Sequence, residues 1–160
     1  MGKVLTVEQS VGIVKQLKRA GKKIVLVGGV FDLLHRGHVE FLEKSKKEGD
    51  CLMIFLESDK KTQETKGRKR PINNQEDRAF VLSKLNMVDF VLKLPYLEKD
   101  EEYEKLVKRL QPAIIAVTKG DSLIELKRKY ARAVGGKLVE VISRIKNYST
   151  SKLSSRSKAK

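Results

Sequence analysis

The stretch KIVLVGGVFDLLHRGHVEFL, Lys23 to Leu42, joins a β-branched and aliphatic run to a glycine pair and then to a segment with helical spacing. The run is apolar at successive positions, so the strand it predicts is buried on both faces, as in parallel sheets covered by helices on each side. Gly28 and Gly29 let the backbone approach a ligand with no Cβ in the way, and Gly37 does the same at the entrance to the next helix. The only two histidines of the chain, His35 and His38, flank Gly37. A helix N-terminus offers unpaired amides and partial positive charge, which suits phosphate. Two imidazoles beside it can donate hydrogen bonds to phosphate oxygens as negative charge develops there. The competing reading makes one histidine a cap or core residue and the other a solvated one. A metal site is a third choice, but two His with Asp32 and a distant Cys51 do not have zinc spacing.

Outward from this stretch, short aliphatic runs alternate with longer amphipathic segments. Strands are predicted at Lys23 to Gly29, Cys51 to Glu57, Val88 to Leu94, Ala113 to Val117 and Lys137 to Ile142. Helices are predicted near Gly37 to Glu48, Asn74 to Leu85, Asp100 to Leu110 and Ser122 to Val134. Tyr103, Leu106, Val107 and Leu110 form one helical stripe. An opening helix begins where Thr6 and Gln9 have capping-box spacing. This alternation predicts one doubly wound α/β domain over residues 1–153, with a five-stranded parallel sheet. In such sheets ligands bind beyond the carboxyl ends of the strands, so the segments after the first, fourth and fifth strands should carry the chemistry. The tail, residues 154–160, is rich in Ser and basic residues and is expected to be mobile.

With 160 residues, 40% of them hydrophobic, the chain can bury one ordinary core but not two sizeable ones. No stretch approaches the roughly 20 apolar residues of a membrane span, and the N-terminus does not read as a signal peptide. A lone Cys51 cannot form an internal disulfide, which points to a reducing cytoplasm. The 35 Lys and Arg exceed the 20 Asp and Glu, a net charge of +15, and imply an anionic partner, either a phosphate-bearing ligand or nucleic acid.

GVFDLLHRGHVEFL, from Gly29, resembles the G-x-F-D-x-x-H-x-G-H signature of the cytidylyltransferase-like nucleotidyltransferases, whose H-x-G-H element is shared with class I aminoacyl-tRNA synthetases. RPINNQEDRAFVLSKLNMVDFVL, from Arg70, is similar to a second segment of that family, and NYSTSKL, from Asn147, resembles its closing signature. The opening helix, the first strand and the K-G-x-x-R-P-I-N run look most like the heptose-1-phosphate adenylyltransferases, which occur alone or fused to a kinase; with no kinase half here, the stand-alone form is expected.

The resemblance implies a Rossmann-like domain that moves a nucleoside monophosphate from ATP, with Mg2+, to a sugar 1-phosphate and releases pyrophosphate. It implies catalytic roles for His35, His38 and Lys66, and nucleotide contacts from Gly28, Gly29, Val30, Phe31, Asp32, Gly37, Asp121, Arg144, Ser149 and Thr150. Arg78 is placed at the acceptor or nucleotide, with an ion pair to Asp77, Glu76 or a neighbouring helix as its alternative role. For Lys66 the alternative is a flexible basic loop shared with Lys61, Arg68 and Lys69. Two departures touch selectivity: VTKGDS from Val117 stands where the heptose enzymes usually read V-K-G-G-D-Y, and VGGVFD stands where they commonly have T-N-G-C-F-D. A CTP-dependent enzyme acting on glycerol 3-phosphate or another alcohol phosphate is therefore the alternative within the same chemistry. A nucleic-acid-binding module is a lesser one, since aromatic residues are 6% of the chain and none interleaves with the basic runs. The resemblance also suggests a homodimer.

Overall fold

The computed structural model describes residues 2–144 and 150–158. Six strands and seven helices occur among them: β1 (Lys3–Leu5), α1 (Val7–Arg19), β2 (Ile24–Gly29), α2 (Arg36–Lys46), β3 (Cys51–Leu56), α3 (Asp59–Lys66), α4 (Gln75–Ser83), β4 (Phe90–Lys93), α5 (Asp100–Leu110), β5 (Ile114–Thr118), α6 (Ile124–Ala133), β6 (Lys137–Ile142) and α7 (Thr150–Lys158). All strand pairs are parallel, in the order β1-β4-β3-β2-β5-β6.

Alternation along the central strands sorts side chains to two cores. Ile24 and Leu26 of β2 join Val14 of α1, Leu106 and Leu110 of α5 and Tyr130 of α6 on one face. Val25 and Val27 join Leu42 of α2 and Leu82 of α4 on the other. Val25, Val27, Leu52, Ile54, Val91 and Leu92 have no exposed surface. This two-sided burial is why the strands carry no polar face. The chain therefore has the doubly wound architecture that its pattern predicts.

Two elements differ from the expectation. The sheet has six strands rather than five, because β1 adds at the β4 edge with Lys3 opposite Phe90 and Leu5 opposite Leu92. Three residues are too short for a readable period, and only Leu5 is buried. Helix α3 occupies the segment expected to be a basic loop. It has little apolar surface, but Ser58 caps it by accepting from the Lys61 amide, and the Thr62 hydroxyl donates to the Ser58 carbonyl inside the protein. The Ser- and Lys-rich tail is helical as far as Lys158. The Thr6 and Gln9 capping box is present as expected, with bonds of 2.9 and 3.3 Å.

The strand order reverses between β2 and β5: from β2 the chain builds outward through β3 and β4, then returns to lay β5 and β6 on the other side. Loops leaving β2 and β5 must diverge there, and the crevice between them opens at the carboxyl end of the sheet.

Candidate active site

A cleft of about 620 Å³ fills that crevice. Its floor and near wall come from the passage out of β2, including Gly28, Gly29, Val30, Phe31, His35, Gly37 and His38. Lys66 and Arg70 reach it from the segment after β3; Lys119, Asp121 and Leu123 come from the turn after β5; Arg144 and Ser151 come from beyond β6. The segments following the first, fourth and fifth predicted strands do converge.

The two glycines serve different ends. A Cβ on Gly29 would lie 2.9 Å from Cε2 of Phe31, so this position is bare to admit that buried ring. A Cβ on Gly28 would meet only Phe55 at 3.9 Å, an ordinary contact. Gly28 is exposed at the cleft floor, so its missing side chain keeps the floor open. Phe31 has φ of 48°, in the left-handed region unusual for a bulky residue, and the chain turns sharply there toward α2.

His35 occupies the N-cap position of α2 but makes no side-chain capping bond, so its imidazole is not used as an ordinary helix cap. The rings of His35 and His38 are stacked, with centroids 3.8 Å apart and planes inclined by 23°. Phe31 supports His38 from a centroid distance of 5.2 Å. Nδ1 of His38 is buried without a hydrogen-bond partner among the described residues. Burial, and then repulsion from a charged His35, push the His38 pKa down to about 4, against a smaller opposing effect of the Leu33 backbone. Burial also lowers that of His35. Both rings are therefore neutral at pH 7 in the ligand-free protein, each a donor at one nitrogen and an acceptor at the other. With only two histidines, proton NMR resolves this directly: both imidazoles should titrate below the ordinary value of 6.5, with His38 near 4. A His38 midpoint at 6.5 would mean that the ring is solvated.

One sequence assignment is corrected. Arg78 does not face an acceptor. Its side chain is 1% exposed and every bond it makes is internal: Nε to the Asn73 carbonyl at 3.0 Å, Nη1 to the Val30 carbonyl at 2.6 Å, and Nη2 to the Glu57 carbonyl at 3.0 Å and to Asp59 at 2.6 Å. Its ion-pair partner is Asp59, the first residue of the neighbouring helix α3, which the alternative role allowed, rather than Asp77 or Glu76. Asp32 has no exposed side-chain surface and accepts from Arg70 Nε at 2.7 Å, the Ile72 amide at 2.8 Å and the Asn73 amide at 2.9 Å. Burial raises its pKa, but the Asn73, Ile72 and Arg70 hydrogen bonds outweigh that and hold it below 3.8. Arg78 thus frames the β2–α2 turn from behind, whereas Asp32 lines the cleft with a carboxylate that accepts from Arg70, Ile72 and Asn73.

Asp121 lines the cleft, yet its carboxylate accepts from the Leu123 amide and from Lys127 Nζ, both at 2.7 Å, and so shapes the turn into α6. Lys66 is exposed at the end of α3, followed by Gly67 at φ of 103°. Arg144 is exposed on the β6 side. Thr150 opens α7, whereas Ser149 lies outside the described residues. The residues the sequence reading missed are Arg70, Lys119, Lys127 and Ser151. Their signal was weak, because a lysine or serine in a polar turn looks the same whether or not it faces a cleft.

A doubly wound sheet with a histidine pair at its switch point and cations on both rims defines an α/β domain built to handle phosphates. The chain belongs to the cytidylyltransferase-like family, matching it over residues 26–157, and is a nucleotidyltransferase domain. Among curated proteins it is 46% identical over 103 residues to the "Bifunctional protein HldE" of Wolinella succinogenes, covering 64% of this chain and 21% of that protein. It is 35% identical over 153 residues to that of Geobacter sulfurreducens, covering 94% and 30% respectively. The chain thus spans between a fifth and a third of these relatives. Among solved structures it resembles the lipopolysaccharide core biosynthesis protein of Thermoplasma volcanium, with TM-score 0.61 and 29% identity over 81% of this chain and all of that one. The pantoate-beta-alanine ligase of Francisella tularensis, 16% identical with TM-score 0.68 over 99% of this chain and 77% of that one, shares the fold.

Proposed function

We propose that this chain transfers the adenylyl group of ATP to a sugar 1-phosphate, with heptose 1-phosphate the favoured acceptor, and releases pyrophosphate. The observation that carries the reading is the stacked His35–His38 pair at the switch-point cleft, which Arg144 and Ser151 also line. An oxygen of the acceptor phosphate forms a bond to the α-phosphorus while the bond from that phosphorus to the bridging oxygen breaks, and the electron pair leaves with pyrophosphate. The protein's part is alignment and neutralisation of charge on phosphoryl oxygens. Neutral imidazoles donate to the α-phosphate oxygens as charge builds, and a bound triphosphate favours their protonation. Lys66, at the end of α3, and Arg144, after β6, line the same cleft as the pair.

The two carboxylates on the cleft, Asp32 and Asp121, are both held by protein donors, and no cluster of three metal-ligating side chains occurs among the described residues. Magnesium fits this site as part of the nucleotide substrate, held by triphosphate oxygens, where it supplies charge neutralisation on the departing pyrophosphate. A reducing cytoplasm suits the single buried Cys51, whose thiol burial pushes up to about 12. No helix among the described residues is long and apolar enough to cross a membrane.

The heptose assignment is supported by the likeness to the HldE proteins and by the lipopolysaccharide core biosynthesis protein among the structural neighbours. The turn Lys119–Ser122, which lacks an aromatic side chain, favours keeping CTP as the second reading. Incubation with ATP or CTP and a panel of phosphorylated acceptors, with pyrophosphate and product mass as readouts, separates the two. Release with ATP and heptose 1-phosphate is expected; release with CTP alone rejects the adenylyl assignment.

A further inference from the structure

Arg70 has surroundings unlike those of the other cations on the cleft. Its side chain is 14% exposed, and its Nε is held at 2.7 Å by an Asp32 carboxylate that has no exposed surface of its own. The Ile72 and Asn73 amides fix that carboxylate. Because a guanidinium is planar, a bond at Nε from an immobile partner sets the direction of the terminal fork. Nη1 and Nη2 donate to nothing among the described residues, although the residue lines the cleft. The side chain is mostly covered while its terminal nitrogens are not enclosed, and an oxyanion presenting two adjacent oxygens, as a phosphate does, matches such a fork. Lys66, by contrast, is exposed, and a lysine ammonium is a compact charge on a flexible stem.

The topology indicates which oxyanion. A nucleotide in a sheet of this order lies over the reversal point, here between β2 and β5. In-line transfer places attacking and departing oxygens on opposite sides of the α-phosphorus. Arg144 and Ser151 follow β6, on the β5 side of β2 in the sheet, and Arg70 follows β3, on the other side of β2. We propose that Arg70 receives the phosphate of the acceptor with its two terminal nitrogens, and that Asp32 is a positioning residue acting through it. The inference rests on nucleotidyl transfer at this cleft and adds the residue that selects a phosphorylated acceptor.

The test is calorimetric titration of heptose 1-phosphate into protein saturated with the α,β-methylene analogue of ATP, which cannot be cleaved at the reacting bond. Arg70→Lys keeps a cation beside Asp32 but removes the fork. It should weaken acceptor binding by about tenfold to a hundredfold while changing affinity for the analogue by less than about threefold. Asp32→Asn should weaken acceptor binding in the same direction, and the double variant should lose no more than Arg70→Lys alone. Additive losses would reject the positioning role. Unchanged acceptor affinity in Arg70→Lys, an equal loss of analogue affinity, or no binding of heptose 1-phosphate to the unaltered protein would overturn the proposal. Pyrophosphate release by the unaltered protein across the acceptor panel judges the proposed function separately. Turnover there with unchanged acceptor affinity in Arg70→Lys rejects Arg70 and leaves nucleotidyl transfer standing.

Discussion

Replacing His38 with alanine should lower turnover by about 10²–10³-fold, the usual loss when one preorganised donor to a developing oxyanion is removed. The ring is half-buried, stacked on His35 and supported by Phe31, so it has few orientations available, and little reorganisation is needed when charge appears on the α-phosphate. His35→Ala should cost a similar factor, and the double variant should cost less than the product of the two, because each ring orients the other. Steady-state rates of pyrophosphate release measure this, and a His38→Ala protein with full turnover would remove the pair from the mechanism. The same substitution has a signature in stability. The folded-state pKa of His38, about 4, lies below its ordinary 6.5, so the unfolded chain takes up the proton first as the solution is acidified. Stability contributed by keeping this ring neutral is present above pH 6.5 and is lost as the pH falls from 6.5 toward about 4. Denaturant melts at pH 7 and pH 5 should therefore converge more closely for His38→Ala than for the unaltered protein.

The second large effect is on the fold. Arg78→Ala should destabilise the protein by about 3–5 kcal/mol, a large share of the roughly 5–15 kcal/mol that holds a domain of this kind together. One guanidinium, 1% exposed, ties the Val30 carbonyl of the β2–α2 turn to Asn73 before α4 and to Glu57 and Asp59 after β3. Its removal leaves the Asn73, Val30 and Glu57 carbonyls short of a donor and opens a cavity at a junction that the Asp32 bonds to Arg70, Ile72 and Asn73 hold only in part. Arg78→Met should move in the same direction despite its similar volume, since the lost partners are polar. Chemical denaturation gives the number. If Arg78 were an acceptor ligand, the variant would instead melt normally and lose acceptor affinity alone.

Asp32, Arg70 and Arg78 show where reading the chain succeeds and where it stops. Strand β2 and helix α5 are legible because their signals are local: unbroken aliphatic residues in one and a stripe at Tyr103, Leu106, Val107 and Leu110 in the other, both found where expected. The capping box at Thr6 is also a matter of three residues. The histidine pair is legible for a similar reason, since the spacing of His35, Gly37 and His38 directly after a glycine-ended strand confines them to one helix entrance at the switch point. Strand β1 is too short to carry a period, and α3 lacks an apolar stripe, so both depend on neighbours distant in the chain.

The sequence by itself determined the parallel sheet wound on both faces, the location of the cleft after the first, fourth and fifth strands predicted from it, and the imidazole pair beside a helix start, because each follows from residues close together along the chain. The tertiary structure alone decided that Arg78 lies behind the site, that Asp32 meets the cleft with its carboxylate held by protein donors, and that Arg70 lines it. A charged side chain carries the same local pattern whether it is buried against a partner or turned toward a ligand, and the partners here are contributed from 38 positions away for Asp32 and Arg70 and 48 for Arg78 and Val30.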